Sequence, residues 1–187
     1  SLEKLEQSGI HLKTHVANSA ALMTYYPQSK GTWVRPGIAL YGLYPHPSMK
    51  SKVKLIPVMQ VRAKVLHVKT LEKGESISYG RTFTAPKKMK VATIAMGYAD
   101  ALLRSLSNRG KCLMKGQKVP FVGRVCMDMT MVDISKLKNV RAGDVATLFG
   151  KDGKSVLSVE EQAALAGTIS YEMLCAVGTR VARVYRG

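Results

Sequence analysis

The sequence predicts a mainly β, barrel-like C-terminal domain, preceded by the last strand and helix units of an α/β barrel of the TIM type. The opening segment has strand–loop–helix–strand spacing, which suggests the end of an α/β barrel or, as the alternative, a doubly wound sheet. Farther on, five or more short strands separated by Gly, Lys and Asp turns follow within about 100 residues, the pattern of a small barrel or sandwich. We therefore expect a barrel remnant over residues 1–43, a linker over 44–54 and a β-rich domain over 55–187.

The opening segment carries signals for two helices and two strands. The predicted elements are a helix over 1–9, a strand over 10–17, a helix over 20–26 that Pro27 stops, and a short strand at 33–34. Gly9 can end the first helix, and Asn18 with Ser19 can cap the second. Two strand–helix units cannot close a barrel, so we expect this segment to depend on a part of the barrel that the sequence lacks. The chain also opens inside a helix without Met, so we expect it to start within a longer protein.

The later segment carries a period of two. Val61, Ala63 and Val65 alternate with Arg62 and Lys64, as in a half-buried strand. Further candidate strands lie at 91–95, 119–122, 130–134 and 145–149. We therefore expect a sheet with one face against the core.

Two short helices are predicted near the end of the chain. Ser158 with Glu161 has the spacing of a capping box, and Gly167 can end that helix. The candidate caps of the last helix, predicted over 171–176, are Ser170 and Thr168.

Composition excludes several classes of protein. The 187 residues are 46% hydrophobic and 22% charged, as in a globular protein. No apolar run is long enough to span a bilayer, and no signal segment opens the chain. Three cysteines without C-x-x-C spacing argue against a disulfide framework and a zinc site, and their plain interpretation is small buried residues. We expect a cytoplasmic protein without a metal and without a membrane partner.

The net charge of +17 permits another interpretation, a basic module that binds nucleic acid. However, the basic residues are scattered, and the densest run, Lys87 to Lys90, follows Pro86 at a turn. Only three Phe and one Trp accompany them, which leaves little to stack bases. We therefore favour a solvated surface without a nucleic-acid partner.

Two loops of the opening segment can bind an anion. Ser19 stands at a helix start, where backbone N–H groups and the helix dipole favour a phosphate. Arg35 precedes Gly37, whose small size lets the backbone approach an anion. In eight-stranded barrels the loops after the last two strands often form phosphate sites. The alternative is a plain cap at Ser19 and a tight turn at Gly37.

Tyr79 lies in Ile-Ser-Tyr-Gly-Arg after a Gly–Glu turn, where its phenol can be exposed. A phenol that serves as a base at neutral pH needs cationic neighbours or hydrogen bonds to its anion. The alternative is ordinary packing.

The segments 97–100 and 123–129 lack metal-ligand spacing, and their aspartates can equally cap a helix or form a turn. Tyr171, at a helix start, can reach an anion or simply pack.

Taken in order, six segments resemble the C-terminal half of bacterial alanine racemases. They read HVANSAA, RPGIALYG, ISYGRTF, GYAD, GRVCMDM and TISYE. The closing segment RVARVY also resembles the end of these proteins. The resemblance extends from about residue 10 to the end of the chain. It implies a cofactor-binding α/β barrel followed by a mainly β domain, and a homodimer whose sites take residues from both subunits.

The resemblance also implies pyridoxal 5'-phosphate as the cofactor. The residues that match ligands of its phosphate are Ser19, the backbone of Gly37 and Ile38, and Tyr171. Arg35 matches the arginine that hydrogen-bonds the pyridine nitrogen. Asn18 and His15 match residues close to the phosphate site.

The remaining matches concern substrate and chemistry. Tyr79 matches the catalytic tyrosine, which is delivered into the partner subunit's site, and Met127 matches a residue that contacts the substrate carboxylate. The residues that resemble the lining of the substrate entryway are Tyr98, Arg104, Arg124 and Ile169. Ala101 stands where the family more usually has glycine, a change that we expect to alter only a local turn.

The resemblance implies an enzyme that interconverts L- and D-alanine and supplies D-alanine for peptidoglycan. No residue of the chain matches the family's Schiff-base lysine, nor the barrel arginine and histidine that orient the tyrosine, so we expect the chain alone to be inactive. The alternatives are a racemase for another small amino acid such as serine, a basic binding module, and a separately expressed β domain that serves dimer contact.

Overall fold

A computed structural model describes residues 2–25 and 32–186. The chain divides into two compact units, Ser1–Met59 and Gln60–Gly187. The helices are α1 (Leu2–Gln7), α2 (Ser19–Tyr25), α3 (Val159–Ala166) and α4 (Ser170–Cys175). The strands are β1 (His15–Asn18), β2 (Trp33–Arg35), β3 (Val61–Leu71), β4 (Ser76–Ile77), β5 (Phe83–Thr84), β6 (Met89–Ile94), β7 (Lys111–Met114), β8 (Gln117–Pro120), β9 (Thr130–Asp133), β10 (Val145–Asp152) and β11 (Ser155–Leu157). Short 3-10 helices are Gly37–Tyr41, Pro47–Ser51, Tyr79–Arg81 and Arg104–Leu106. The domain limits drawn from the sequence, with a linker over 44–54, stay a prediction.

The first unit contains one strand–helix–strand repeat. β1 and β2 pair in parallel, with α2 as the connection between them, which is the building block of an α/β barrel. The strand predicted over 10–17 is shorter than expected and begins at His15, because its described partner has only three residues. Tyr26 and Pro27, where the second helix was predicted to end, lie outside the described residues.

The second unit is a closed β barrel. Its sheet has the strand order β8-β7-β10-β3-β6-β9, with β11 paired to β10 outside that path. The two end strands meet, because Phe121, directly after β8, forms a bridge with Val132 of β9. Val122 also donates its backbone N–H to the carbonyl of Met131 at 2.9 Å. Closure pairs the sheet edges and leaves an interior just wide enough for side chains.

The barrel interior explains which strands the sequence could predict. All five predicted strands of this domain are present, and β3 and β10 extend beyond their predicted ends. The alternation at the start of β3 is confirmed, since Val61, Ala63 and Val65 are buried. β7 was missed because three of its four residues are buried, so it shows no period of two.

The two closing helices confirm one capping prediction and correct another. The Ser158 hydroxyl accepts a hydrogen bond from the Glu161 N–H at 3.1 Å, and Gly167 ends α3 at φ 74°. The other half of the capping box is absent, because the Glu161 carboxylate pairs with Lys118 at 2.6 Å. The predicted caps of α4, Ser170 and Thr168, are wrong.

The residue at the N-cap of α4 is Ile169, which has no hydroxyl to cap with, and Ser170 is the first residue of the helix. The Thr168 hydroxyl hydrogen-bonds the Glu172 side chain instead. Within the described ranges, no helix has both the length and the hydropathy that a bilayer crossing requires.

Candidate active site

Tyr79 is presented on a sharply turned loop of the second unit. The loop joins the short antiparallel strands β4 and β5 through the 3-10 helix Tyr79–Arg81. Gly80 has φ 70°, and the residues on either side of the Tyr79–Gly80 pair, Ser78 and Arg81, also have positive φ. The reversal takes the tyrosine away from the barrel core, and 74% of its surface is exposed. The phenol is therefore free to meet a group from outside the barrel.

A cleft of about 460 Å³ opens beside this loop. The residues that line it are Tyr79, Tyr98, Arg104, Arg124, Val125, Cys126, Met127, Asp128 and Met129. Five of the residues singled out from the sequence thus lie around one cavity, although they come from four separate segments of the chain. Cys126 lines the cleft and is partly exposed, and Cys175 is exposed, so the interpretation of the cysteines as buried residues holds for Cys112 and is wrong for the other two.

The cleft has a positive charge. Among the described residues, no carboxylate pairs with the guanidinium of Arg104 or of Arg124. Arg124 lies against the Tyr79 loop, since a Cβ placed on Gly80 would be 3.4 Å from its guanidinium carbon. Unpaired arginines next to an exposed phenol suit an anionic ligand such as a carboxylate.

A second arginine system includes Asp128 of the cleft lining, and sequence reasoning missed it. Arg180 donates to the Asp128 carboxylate at 2.6 Å and lies 3.4 Å from that of Asp100. The hydrogen bond to Asp128, followed by the charges of Asp100 and Asp128, raises the pKa of Arg180. No short-range signal could have found this network, because Arg180 and Asp128 are 52 residues apart.

The turn that begins at Gly97 holds the Met127 segment of the cleft wall. The backbone N–H groups of Tyr98 and Ala99 donate to the carbonyls of Cys126 and Met127, at 2.9 and 3.0 Å. A Cβ on Gly97 would be 2.2 Å from both of those carbonyl oxygens. Two backbone segments can approach so closely only because residue 97 has no side chain.

The first unit contains a separate polar recess around Ser19. Ser19 is 4% exposed, and its hydroxyl accepts the backbone N–H of Ala39 at 3.2 Å. Gly37 begins the neighbouring 3-10 helix at φ 40°, and a Cβ there would be 3.7 Å from the Ser19 hydroxyl oxygen. The N–H groups of Gly37 and Ile38, at a helix start, have no acceptor within the helix. Within the part of the chain that the structure describes, the recess thus combines a hydroxyl with backbone N–H groups that have no helical acceptor.

Residues around that recess have local partners. The Asn18 side chain accepts the N–H of Ala21 at 3.0 Å, which makes it a cap of α2. Arg35 donates to the carbonyl of Val16 at 3.4 Å and is an exposed residue. His15 is exposed at the start of β1. The Asn18 side chain is therefore a helix cap, the alternative to a binding role.

Ile169 and Tyr171 lie at the start of α4, where 63% and 41% of their surfaces are exposed. They are not among the described residues that line the cleft at Tyr79. Within the described ranges, no group of three or more His, Cys, Asp or Glu side chains could hold a metal ion.

The fold defines a chain of two parts, a strand–helix–strand unit of an α/β fold followed in sequence by a β barrel that carries the cleft. The sequence profile described as alanine racemase, C-terminal domain, matches residues 58–185, and that of alanine racemase, N-terminal domain, matches residues 1–45. The chain belongs to the alanine racemase family.

Named relatives agree with this assignment. An alanine racemase of Methanococcus maripaludis is 45% identical over 98% of this chain, but the match covers 49% of that protein. The alanine racemase of a D-cycloserine-producing Streptomyces lavendulae has a similar structure, with TM-score 0.90, 35% identity and coverage of 100% of this chain and 49% of that one. That of Bacillus anthracis, solved with bound L-Ala-P, gives TM-score 0.87, 38% identity and coverage of 96% and 46%. The chain spans about half the length of the relatives it matches.

Proposed function

We propose that this chain is the C-terminal half of an alanine racemase that interconverts L- and D-alanine in the cytoplasm and supplies D-alanine for peptidoglycan. The observation that carries the proposal is the exposed phenol of Tyr79 in a cleft with two unpaired arginines. In the complete protein, this chain follows the barrel half that its relatives carry. The complete protein forms a homodimer in which the cleft of one subunit completes the site of the other.

The cofactor of this enzyme is pyridoxal 5'-phosphate, and the Ser19 recess fits its phosphate. The recess has the donors that a phosphate accepts from, namely a hydroxyl and backbone N–H groups at a helix start. Gly37 leaves open the space in front of the hydroxyl that a Cβ would fill. Ser19, Gly37 and Ile38 would hold the phosphate, with Tyr171 as a further ligand.

The other barrel residues tune and orient the cofactor. Arg35 would donate to the pyridine nitrogen, because a guanidinium carries donors and no acceptor. Asn18 supports the Ser19 loop through its cap of α2, and His15 lies on the strand that leads into it.

The chemistry needs a base on each face of the alanine α-carbon. The bound cofactor withdraws electrons from that carbon and makes its proton acidic. Tyr79 takes or returns the proton on the L face, and the lysine of the preceding barrel does so on the D face.

The remaining cleft residues bind and admit the substrate. Met127 lies on the wall where the substrate carboxylate is held, and Arg104, Arg124 and Tyr98 line the way in. Ile169 lines the same entryway from the other subunit, which explains why it lies apart from the cleft within one chain.

The proposal is tested with the complete protein, the barrel half of the Methanococcus maripaludis relative joined to this chain. We expect it to bind pyridoxal phosphate and to racemise alanine in both directions, as followed by chiral chromatography, and to act more slowly on serine. This chain alone should show no turnover, because the lysine that would hold the cofactor and act as the second base belongs to the barrel half. A faster rate on serine would assign the other amino acid, and a folded protein without cofactor binding would contradict the proposal.

A further inference from the structure

The backbone immediately before Tyr79 is strained. Ser78 has φ 67° and ψ 169°, a region that only glycine occupies readily. A serine in this conformation persists only where its surroundings compensate for the strain. Ser78 directly precedes Tyr79. The contacts that hold Ser78 in this conformation therefore also fix the backbone from which the Tyr79 side chain projects.

The Ser78 hydroxyl is tied to the opposite wall of the cleft through both of its functions. It donates to the carbonyl of Arg124 at 3.0 Å and accepts the backbone N–H of the same residue at 2.9 Å. A hydroxyl carries one donor and two acceptor sites, so one group can make both contacts. Gly123 permits the approach, because a Cβ there would be 2.6 Å from the Ser78 Cβ.

The far end of the loop is tied to the same segment through Asn108. Its side-chain oxygen accepts the N–H of Gly123 at 2.6 Å, and its side-chain nitrogen lies 3.4 Å from the carbonyl oxygen of Thr82. The backbone N–H of Asn108 also donates to the Gly123 carbonyl at 3.0 Å. The Tyr79 turn is thus held before and after the tyrosine.

We propose that Ser78 is a positioning residue for Tyr79. The two hydrogen bonds between the Ser78 hydroxyl and the Arg124 backbone, here called the clasp, set where the phenol lies in the cleft. This inference rests on the proposed function. The phenol oxygen lies at the end of a long side chain, so a small rotation of the strained backbone moves it by a large distance. A displacement of about 1 Å can slow a reaction by about 100-fold, and we expect loss of the clasp to act through such a displacement.

The test replaces Ser78 by alanine in the complete protein and follows deuterium exchange at the α-carbon in D2O. We expect Ser78→Ala to slow exchange from L-alanine by about 10- to 100-fold and to leave exchange from D-alanine nearly unchanged. Ser78→Gly, which suits the backbone but lacks the hydroxyl, should show the same asymmetry, so a folding failure of the alanine variant does not end the test. Ser76→Ala is the matched control, because the Ser76 hydroxyl hydrogen-bonds that of Thr84 across the β4–β5 pair and, among the described residues, has no contact with Arg124.

A double variant separates positioning from a general structural effect. In a Tyr79→Phe background the clasp has no phenol to position, so Ser78→Ala should slow L-alanine exchange no further. An equal slowing for both enantiomers, no slowing in either single variant, or a further slowing in the double variant would overturn the role of Ser78. Normal L-alanine exchange in Tyr79→Phe itself would instead overturn the proposed function.

Discussion

Replacing Tyr79 by Phe in the complete protein is expected to slow removal of the α-proton of L-alanine by about 100- to 10,000-fold, the contribution typical of a positioned general base. Removal of the D-alanine proton should fall much less, because the proposed mechanism assigns that face to the lysine of the barrel half. The change removes one oxygen from a side chain that is 74% exposed, so the barrel core is untouched. The asymmetry between enantiomers is therefore the informative quantity.

The measurement is the rate of deuterium incorporation at the α-carbon, followed separately for each enantiomer by NMR before racemisation mixes them. Tyr185→Phe is a suitable control, since Tyr185 is 88% exposed near the end of the chain and is not part of the cleft. Loss of the same size for both enantiomers would contradict the assignment of Tyr79 to the L face.

The second large effect is expected at Gly97, where an alanine should destabilise the β domain by about 3 kcal/mol or more. Its Cβ would overlap the carbonyl oxygens of Cys126 and Met127 at 2.2 Å. Relief requires the two segments to separate, and separation breaks the hydrogen bonds that Tyr98 and Ala99 donate. The Met127 wall of the cleft would move with them, so alanine binding should weaken as well.

Gly178→Ala is the matched control for Gly97→Ala. A Cβ on Gly178 would meet its nearest neighbours, the carbonyl oxygens of Ala99 and Asp100, at an ordinary 3.6 Å. Urea unfolding of the two variants of the complete protein, followed by circular dichroism, compares the free energies of unfolding. Equal stability of the two variants would show that the turn at Gly97 is not packed against the Met127 segment.

Features that depend on a few neighbouring residues were predictable from the sequence. The cap at Ser158, the stop at Gly167 and the alternation of Val61, Ala63 and Val65 each have a cause within one turn or one strand. The exposure of the Tyr79 phenol belongs to the same class, because Gly80 and its neighbours set the local reversal of the chain.

Features that depend on distant partners were not predictable. The clasp of Ser78 on Arg124 joins residues 46 positions apart, and Arg180 reaches Asp128 across 52 positions. Neither contact leaves a pattern in the order of residues. The same reason explains the failed half of the capping box, since the partner of Glu161 is Lys118 on another element.

The candidate site residues from the sequence divide into groups within the chain. Tyr79, Tyr98 and Met127 share the cleft with Arg104 and Arg124, while Ile169 and Tyr171 lie at the start of α4 outside it. The proposed site composed from two subunits assigns these two groups to different subunits.

Mixing two inactive variants of the complete protein tests that composition most directly. One carries Tyr79→Phe and the other lacks the lysine of the barrel half, and the two are unfolded, mixed in equal amounts and refolded with pyridoxal phosphate. If each site takes its tyrosine from the partner, a mixed dimer has one intact site, and about a quarter of the wild-type racemase activity should return on random pairing. Refolded mixed dimers with no more activity than the separate variants would contradict the account.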